Sequence, residues 1–234
     1  MNDRKRRVIV WGDSILAGIV YDDEEKKYRF LDKSCLDYIE EETEFEIINR
    51  SKFCQTTGRA LKMMKTYLEK DHNFEIAVIE LGGNDCDFDW KEIAEHPHQE
   101  HQPKTSVAEY AQNIILMIQE IQKYGIRPMI VSLPPIDATR YFQWISQGLN
   151  VDNIKHWLKS IDLIYRFQEK YNTVLLRIAG QYQIPVIHIR EELLDIHDYD
   201  QYLCIDGIHL NQQGHKKIKS IFENIRGDLQ YEPI

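Results

Sequence analysis

Short apolar runs alternate with helical sequence along most of this 234-residue chain. Strands that alternate with helices favour a parallel sheet covered on both faces, because parallel neighbours need a crossover connection. The runs are Val8–Trp11, Phe45–Asn49, Ile76–Leu81, Met129–Leu133 and Ile184–Ile189. The chain is therefore predicted to form an α/β fold with a doubly wound parallel sheet of about five strands.

The sequence between these runs has the periodicity of amphipathic helices. In Gly58–Lys70, the residues Leu61, Met64 and Leu68 fall on one face. Ser106-Val107-Ala108-Glu109 is typical of a capping box, and the isoleucine stripe after it is interpreted as core packing. That stripe is Ile114, Ile118 and Ile121 and stops at Tyr124-Gly125, and two further helices are predicted at Ile161–Tyr182 and Asn211–Arg226.

The length and composition are typical of one sizeable domain, predicted to span residues 1–234. Hydrophobic residues make up 43% and charged residues 29%, and no repeat, low-complexity segment or Pro-, Gly- or Ser-rich linker is visible. The formal net charge of -9 argues against nucleic acid as a partner, since phosphate binding needs a basic surface. No apolar run approaches the length that spans a membrane.

The sequence favours a cytoplasmic location. The basic start Arg4–Arg7 is followed by only four apolar residues before Gly12, too few for the apolar region of an export signal. The cysteines are far apart and form no CxxC pair, which favours reduced thiols over a disulfide framework. They are Cys35, Cys54, Cys86 and Cys204.

Two long stretches interrupt the alternation: residues 86–105 are polar, and residues 137–159 are rich in aromatic side chains. Insertions after consecutive strands lie at the same edge of a parallel sheet, where open α/β sheets bind ligands. We expect them to form the substrate-facing wall, although a homo-oligomer interface would favour the same residue types. The aromatic residues concerned are Trp90, Tyr141, Phe142, Trp144 and Trp157.

The first strand runs directly into Gly12-Asp13-Ser14, and the apolar, helix-compatible segment Ile15–Val20 follows. A serine between a strand and a helix lies at the open edge of the sheet, where the helix N-terminus favours developing negative charge. Ser14 is therefore a candidate nucleophile. Gly-Asp-Ser is also common in turns, and Ser is a common helix N-cap, so this motif alone leaves a purely structural turn open.

A second polar motif, Glu80-Leu81-Gly82-Gly83-Asn84-Asp85, follows the third strand. Two glycines allow a tight turn or a close approach of the backbone to a ligand, and Asn84 then presents an amide from the same edge as Ser14. An uncharged amide is a suitable hydrogen-bond donor to an oxyanion. A Gly-Asn turn without a catalytic role is the alternative.

A third motif, Asp206-Gly207-Ile208-His209, precedes the last helix. Asp and His three residues apart on a turn can point the same way, so the carboxylate can hold the imidazole while His209 reaches a hydroxyl. Asn211 can cap the following helix and fix the turn. An isolated Asp-x-x-His is often a solvated turn, but Ser14, Asn84 and His209 at three separate junctions indicate one site.

Together, GDS near the N-terminus, ELGGND in the middle and DGIHLN near the C-terminus resemble the SGNH hydrolases, also called GDSL esterases or lipases. The resemblance spans nearly the whole chain, with the motifs in the family's order. It implies a flavodoxin-like three-layer fold and the hydrolysis of small-molecule esters without a cofactor. By this resemblance Ser14 is the nucleophile, His209 the base and Asp206 its orienting carboxylate. Asn84 and the backbone N–H of Ser14 are then oxyanion-hole donors.

The remaining donor of the family, a glycine N–H in the loop after the second strand, is where this chain departs. The family pattern has Asn at the strand end, Gly five residues later and Thr two beyond that. Asn49 and Thr56 fit this pattern, but Cys54 occupies the glycine position. The spacing favours the Cys54 N–H as the donor, with Gly58 as the alternative. A nucleophilic role for the thiol is not expected, because the sequence supplies no base or cation beside it.

Neither of two metal-like patterns predicts a metal site. The run Asp85–Asp89 opens like a calcium loop, but Trp90 stands where glycine is needed and His96 where the bidentate glutamate belongs. The run His96–His101 has no cysteine partner and no helical i, i+4 histidine pair, so a solvated loop is favoured over a zinc site.

The sequence therefore predicts a metal-independent serine esterase. Carbohydrate O-deacetylation, lysophospholipid hydrolysis and thioester cleavage are alternatives on the same site, because a fold does not determine its substrate. A catalytically silent ligand-binding or scaffold protein is an alternative of a different class. The intact set Ser14, Asn84, Asp206 and His209 argues against it.

Overall fold

The structure is a computed structural model that describes residues 5–229 of the chain. Its strands are β1 Arg6–Gly12, β2 Ile19–Asp22, β3 Lys27–Phe30, β4 Phe45–Asn49, β5 Ile76–Glu80, β6 Arg127–Val131 and β7 Val186–Ile187. Five of them form a parallel sheet in the order β4-β1-β5-β6-β7, and β2 and β3 form a separate antiparallel hairpin. Among the five, counted along the chain, this order is 2-1-3-4-5, the flavodoxin-like order. The predicted fold class is confirmed.

Helices cover both faces of this sheet. They are α1 Cys35–Glu41, α2 Thr57–Leu68, α3 Trp90–Glu95, α4 Val107–Lys123, α5 Ala138–Ile145, α6 Val151–Leu158, α7 Asp162–Gln181, α8 Ile189–Leu194 and α9 Gln212–Leu229, with a 3-10 helix at Tyr199–Tyr202. Side chains from α2, α4 and α7 pack against one face, and side chains from α1, α8 and α9 pack against the other. The result is three layers.

Strand β1 shows why the strand sequences are continuously apolar. Ile9 and Trp11 join the core beneath α2, α4 and α7, whereas Val8 and Val10 join the core on the opposite face. All four side chains are buried. Burial of each contributes about 1.5–3 kcal/mol to the stability of the fold.

Helix α4 contains the predicted isoleucine stripe. Ile114, Ile118 and Ile121 are fully buried in the core, which confirms their interpretation as packing residues. Ser106 is the N-cap, and its Oγ accepts a hydrogen bond from the Glu109 N–H at 3.3 Å. The N-cap half of the predicted capping box is therefore formed.

The prediction of a helix over Ile15–Val20 was wrong. The Ala17 N–H donates to the Asp13 carbonyl, and the Ile19 N–H donates to the Ser14 carbonyl, so the chain makes only one compact turn after Ser14. Gly18, with a φ of +74°, then redirects the chain into β2. Ser14 consequently lies between a strand and a turn rather than at a helix N-terminus.

The last strand of the sheet is shorter than the predicted range Ile184–Ile189. The Ile184 N–H donates to the carbonyl of Ala179 and so closes the end of α7. Ile189 is already the first residue of α8. Only Val186 and Ile187 pair with β6, as the edge strand of the sheet.

The two insertions fold into short helices that pack on each other. Residues 86–105 contain α3, and residues 137–159 contain α5 and α6. Their apolar side chains form a third cluster, separate from the two cores of the sheet. Its buried members are Phe88, Trp90, Ile93, Ala94, Tyr141, Phe142, Ile154 and Leu158, with Ile164 from α7. No helix in the described part of the chain is long and apolar enough to cross a membrane.

Candidate active site

Ser14 and His209 meet at the carboxyl edge of the sheet. Ser14 follows β1, is only 6% exposed, and its Oγ lies 2.9 Å from His209 Nε2. His209 is also buried, so this contact is shielded from bulk water. The geometry allows the imidazole to accept the proton of the Ser14 hydroxyl.

Asp206 holds the other side of the imidazole. Its Oδ2 lies 2.6 Å from His209 Nδ1, and its Oδ1 accepts hydrogen bonds from the N–H groups of Ile208 and His209, both at 3.0 Å. Burial alone would raise the pKa of Asp206, but these hydrogen bonds and the His209 charge hold its pKa below the usual range. The carboxylate therefore remains ionised and keeps the Nδ1–H tautomer of His209 in place.

The turn that carries Asp206 and His209 needs a glycine. Gly207 has a φ of +75°, and a β-carbon there would lie 2.7 Å from the Asp137 carbonyl oxygen. On the far side of the turn, Asn211 Oδ1 accepts from the N–H groups of Gln213 and Gly214, so Asn211 caps α9 as predicted. The close approach to Asp137 anchors the turn to the start of α5.

Asn84 faces the same space from the turn after β5. It lines the cavity that contains Ser14, and its Nδ2 donates to Asp13 Oδ2 at 3.3 Å. Gly82, with a φ of +149°, approaches Leu133 and the hydroxyl of Tyr110 so closely that a β-carbon would clash. The glycines thus place the Asn84 amide at the wall of the cavity that contains Ser14.

Two buried carboxyl groups lie behind Ser14 and Asn84, which the sequence did not predict. Glu80 is 1% exposed, and its Oε2 has no hydrogen-bond partner among the described residues. Burial, reinforced by the Asp13 charge, raises the pKa of Glu80 well above its usual value. Burial also raises the pKa of Asp13 to about 6, against the hydrogen bond from the Ile15 N–H. The two carboxyl groups interact, so burial makes the pair hold a proton to a higher pH than free carboxyl groups do.

The structure separates the two candidates for the remaining backbone donor. Cys54 lines the cavity and has a φ of +54°, the left-handed conformation that glycine adopts without cost. A residue with a β-carbon pays about 1–2 kcal/mol for this conformation. Gly58 instead lies in the first turn of α2, where its α-carbon faces Asn113, and it is not among the lining residues.

The cavity beside Ser14 is largely apolar, with a volume of about 220 Å³. Of the predicted substrate-facing residues, Trp90, Tyr141 and Trp144 line it, whereas Phe142 and Trp157 pack within the third cluster. The other apolar residues of its wall are Ile15, Phe53, Phe88, Leu133, Pro134, Ile136, Ile145, Ile164, Phe167 and Ile208.

Asp87 holds two aromatic side chains of the cavity lining in place. Its Oδ1 accepts hydrogen bonds from Trp90 Nε1 at 2.8 Å and from Tyr141 Oη at 2.7 Å. Its Oδ2 accepts from Lys104 Nζ at 2.7 Å. Asp87 thereby joins the first insertion to the second, and its charge is compensated by Lys104 at the cavity wall.

The carboxylates and histidines of the two metal-like runs have separate hydrogen-bond partners. Asp85 accepts from the N–H and hydroxyl of Thr57, and Asp89 caps α3, so their carboxylates do not converge with that of Asp87. His101 Nε2 contacts the carbonyl oxygen of His96. In the part of the chain that the structure describes, no group of three or more His, Cys, Asp or Glu side chains is arranged to hold a metal ion.

Tyr28 is a site residue that the sequence did not reveal. It comes from β3 of the hairpin, and its Oη donates to Asp206 Oδ2 at 3.0 Å. Its ring centroid lies 5.0 Å from that of His209 and 5.2 Å from that of Phe53. No local pattern could indicate this contact, because Tyr28 and Asp206 are 178 residues apart.

Comparison with known proteins identifies the family of this chain. The sequence profile of the GDSL-like Lipase/Acylhydrolase family matches residues 10–217. A curated relative is the isoamyl acetate-hydrolyzing esterase of Saccharomyces cerevisiae, 23% identical over 175 residues. The alignment covers 73% of this chain and 64% of the yeast protein, so it spans less than two thirds of that relative's length.

Solved structures share the fold along nearly the whole chain. The lipase/acylhydrolase from Enterococcus faecalis has a TM-score of 0.67 at 20% identity, with 95% of this chain and 96% of that one covered. The psychrotrophic esterase EstA from Pseudoalteromonas sp. has a TM-score of 0.62 at 15% identity, with 97% and 100% covered. With the profile match over most of its length, this chain belongs to the GDSL-like lipase/acylhydrolase family.

Proposed function

We propose that this protein hydrolyses carboxylic esters, with Ser14 as the nucleophile, His209 as the general base and Asp206 as the group that orients it. One observation carries the proposal: Ser14 Oγ, His209 and Asp206 form a continuous, buried hydrogen-bonded chain with contacts of 2.9 and 2.6 Å. This arrangement opens into a largely apolar cavity. Family membership supports the same reaction class.

In the acylation step, Ser14 Oγ attacks the acyl carbonyl carbon while His209 Nε2 takes the hydroxyl proton. The carbonyl oxygen becomes an oxyanion, for which the Asn84 amide and the backbone N–H groups of Ser14 and Cys54 are the proposed donors. The tetrahedral intermediate then collapses. The bond to the leaving alkoxide breaks, and the imidazolium returns its proton to the alcohol.

Deacylation repeats these steps with water. His209 removes a proton from the water molecule, whose oxygen attacks the acyl-enzyme carbonyl, and the second intermediate releases the carboxylic acid and restores the Ser14 hydroxyl. Asp206 stabilises the imidazolium in both halves of the reaction. Because it is fixed by two backbone N–H groups, it needs no rearrangement as charge develops on His209.

The cavity supports a substrate with an apolar acyl group rather than acetyl alone. An apolar cavity of about 150 Å³ accommodates benzene, and the cavity here has about 220 Å³. Phe88, Leu133, Ile164 and Phe167 are among its lining residues, and their side chains offer no hydrogen bond to a sugar hydroxyl. We therefore favour small esters with short to medium acyl chains over acetylated carbohydrates. The curated yeast relative is named for isoamyl acetate, a small ester whose acyl group is acetyl and whose apolar part is the alcohol.

The thiols support a reducing, cytoplasmic compartment for this reaction. All four cysteines are unpaired, and Cys35, Cys86 and Cys204 are buried in separate parts of the fold. Reduced cysteines are the rule in the cytoplasm and uncommon in secreted proteins of this size.

The direct test is hydrolysis of a series of p-nitrophenyl esters with increasing acyl length. Ser14→Ala and His209→Ala should each lower kcat by several orders of magnitude while the circular dichroism spectrum stays unchanged. The exposed serine Ser160 provides the matched control, and Ser160→Ala should hydrolyse the same esters at the wild-type rate. Full turnover by folded Ser14→Ala protein would refute Ser14 as the nucleophile.

A covalent label gives an independent readout. EstA has been crystallised in a form inhibited by monoethylphosphonate. An activated monoethyl phosphonate ester should likewise add one phosphonyl group to this protein, as measured by intact mass. The adduct should map to the peptide with Ser14 and be missing in Ser14→Ala. A protein that neither turns over esters nor takes the label would fit the silent binding protein instead.

A further inference from the structure

The Asp206 carboxylate has one more partner than the Ser–His–Asp arrangement requires. Its Oδ1 accepts from two backbone N–H groups, whereas its Oδ2 accepts from both His209 Nδ1 and Tyr28 Oη. Burial, the Asp206 charge and the hydrogen bond to it raise the pKa of Tyr28 well above its usual range. The phenol therefore keeps its proton well above neutral pH, and it acts as a donor.

We propose that Tyr28 is a positioning residue that hydrogen-bonds Asp206 and limits the negative charge that this carboxylate presents to His209. The inference rests on the proposed function, since it assigns Tyr28 a part in the same Ser14–His209–Asp206 arrangement. It adds a residue that acts through Asp206 and lies outside the three motifs of the sequence.

The charge argument follows from the shared oxygen. Two donors share the lone pairs and the charge of Asp206 Oδ2. Each hydrogen bond therefore reduces the negative charge that this oxygen offers to the other donor. Loss of the Tyr28 hydroxyl would concentrate charge on Oδ2 and favour the imidazolium form of His209. A larger fraction of His209 would then be protonated at a given pH, and it could not accept the Ser14 proton.

Orientation of the carboxylate does not depend on Tyr28. The two backbone N–H groups fix Asp206 Oδ1, and the close approach of Gly207 to Asp137 fixes the turn. Removal of the phenol oxygen should therefore leave the Asp206 turn in place, although it also removes a hydrogen bond with Trp144 at the cavity wall. This separates the proposed role from simple support of the turn.

Other ionisable groups act on the same pair and are identical in wild type and in both variants, so the comparison between variants isolates the effect of the Tyr28 hydroxyl. Asp13 from the end of β1 and His215 from α9 interact electrostatically with His209. Cys204, from the segment before the turn, interacts with Asp206 and Tyr28. Burial lowers the pKa of His215 to about 4 and raises that of Cys204 to about 11, so neither titrates near neutral pH.

The hairpin supplies a matched control for Tyr28. Tyr21 pairs with Tyr28 across β2 and β3, and its ring packs edge-on against both Tyr28 and Trp144. Its hydroxyl is not among the donors to Asp206. Tyr28→Phe and Tyr21→Phe therefore remove the same atom from neighbouring rings, and only the first removes a hydrogen bond to the carboxylate.

The experiment measures kcat/KM for a p-nitrophenyl ester as a function of pH in wild type and both variants. In Tyr28→Phe the midpoint of the acid limb should rise by about 0.5–1 pH unit, with about a three- to tenfold lower kcat/KM on the acid side. The plateau at high pH should change less, and Tyr21→Phe should follow the wild-type curve. Proton NMR gives a second readout, because the His209 Nδ1–H resonance should move downfield in Tyr28→Phe only.

An acid limb and an Nδ1–H resonance that are both unchanged in Tyr28→Phe would overturn the inference. Equal shifts in Tyr21→Phe would overturn it as well, since the aromatic packing would then be the cause. Thermal unfolding checks that both variants fold. Failure of the proposed function has a different signature, because Ser14→Ala would then retain ester hydrolysis whatever the result for Tyr28.

Discussion

Replacement of Glu80 by glutamine should stabilise the protein more and more as the pH rises. Glu80 and Asp13 are both buried behind Ser14, and the pKa of Glu80 is raised well above its usual value by burial and by the Asp13 charge. Glutamine has nearly the same shape as protonated glutamic acid and cannot ionise. The variant therefore mimics the protonation state that the folded enzyme maintains near neutral pH.

The sign follows from the protons bound in each state. Above a pH of about 4.5 an unfolded glutamate is ionised, whereas folded Glu80 keeps its proton, so rising pH favours the unfolded wild-type chain. The stabilising contribution is complete below the unfolded pKa and is lost as the pH rises through the folded pKa. Glu80→Gln has no such loss.

The slope of this dependence gives the scale of the effect. One proton that folded Glu80 binds and the unfolded chain does not changes the unfolding free energy by about 1.36 kcal/mol per pH unit. Burial and the Asp13 charge hold the folded pKa of Glu80 well above the unfolded one. Across the pH range between these two pKa values, the unfolding free energy of Glu80→Gln, relative to wild type, should therefore increase by about 1.36 kcal/mol per pH unit.

Urea denaturation followed by circular dichroism at several pH values measures this difference. The exposed residue Glu44 provides the control, and Glu44→Gln should run parallel to wild type across the range. A difference between Glu80→Gln and wild type that is constant with pH would refute the buried, protonated carboxyl. So would a wild type that gains stability relative to the variant as the pH rises.

Two further predictions concern the oxyanion donors and the cavity wall. Asn84→Ala should lower kcat by about a hundredfold or more, whereas Cys54→Ala, which keeps the backbone N–H, should retain most of the activity. Steady-state kinetics on one ester tests both, and a large loss in Cys54→Ala would mean that the thiol itself participates. Trp90→Ala and Trp144→Ala should shift the preference among acyl lengths, measured as kcat/KM ratios. The oligomeric state, measured as the molecular mass in solution, should not change. Variants with altered subunit mass and an unchanged ester profile would assign these aromatics to assembly instead.

The fold was predictable because its strands are buried on both faces. A run such as Val8–Trp11 is apolar at every position, and helices at amphipathic spacing lie between the runs. The segment Ile15–Val20 misled the prediction for the same reason. It is apolar and helix-compatible in composition, but the hydrogen bonds that close the turn after Ser14 and the positive φ of Gly18 send it into a hairpin.

The motif residues of the site were predictable because each is marked by its local sequence. Ser14, Asn84 and His209 follow or precede glycine-containing turns at the ends of regular elements, and their convergence follows from a parallel sheet. Tyr28 and Glu80 carry no such mark. Their roles depend on partners that the fold brings together. The sequence around a tyrosine in a polar hairpin, or around a glutamate at a strand end, does not indicate whether that side chain is buried beside a charge.

Cys54 illustrates a departure that the sequence located but could not explain. The family pattern calls for glycine at that position, and the structure gives the position a φ of +54°. Glycine adopts this conformation without strain, whereas cysteine, with its β-carbon, does not. This conformation costs about 1–2 kcal/mol for a residue with a β-carbon. Other contacts that hold the loop offset this strain, including the hydrogen bond from Gln55 Nε2 to the Gly12 carbonyl.

The contacts that complete the site join the two ends of the described chain. Ser14 and His209 are separated by 195 residues, and Tyr28 and Asp206 by 178. Cys35 and His215, whose backbone N–H and Nδ1 form a hydrogen bond, are separated by 180. Closing such long loops costs chain entropy, which the contacts of the folded state must offset. Local opening of the segment from Asp206 to α9 would dismantle the site while the core under α2, α4 and α7 stayed folded. The geometry of the candidate site therefore depends on the least local contacts of the fold, and not only on the stability of its central core.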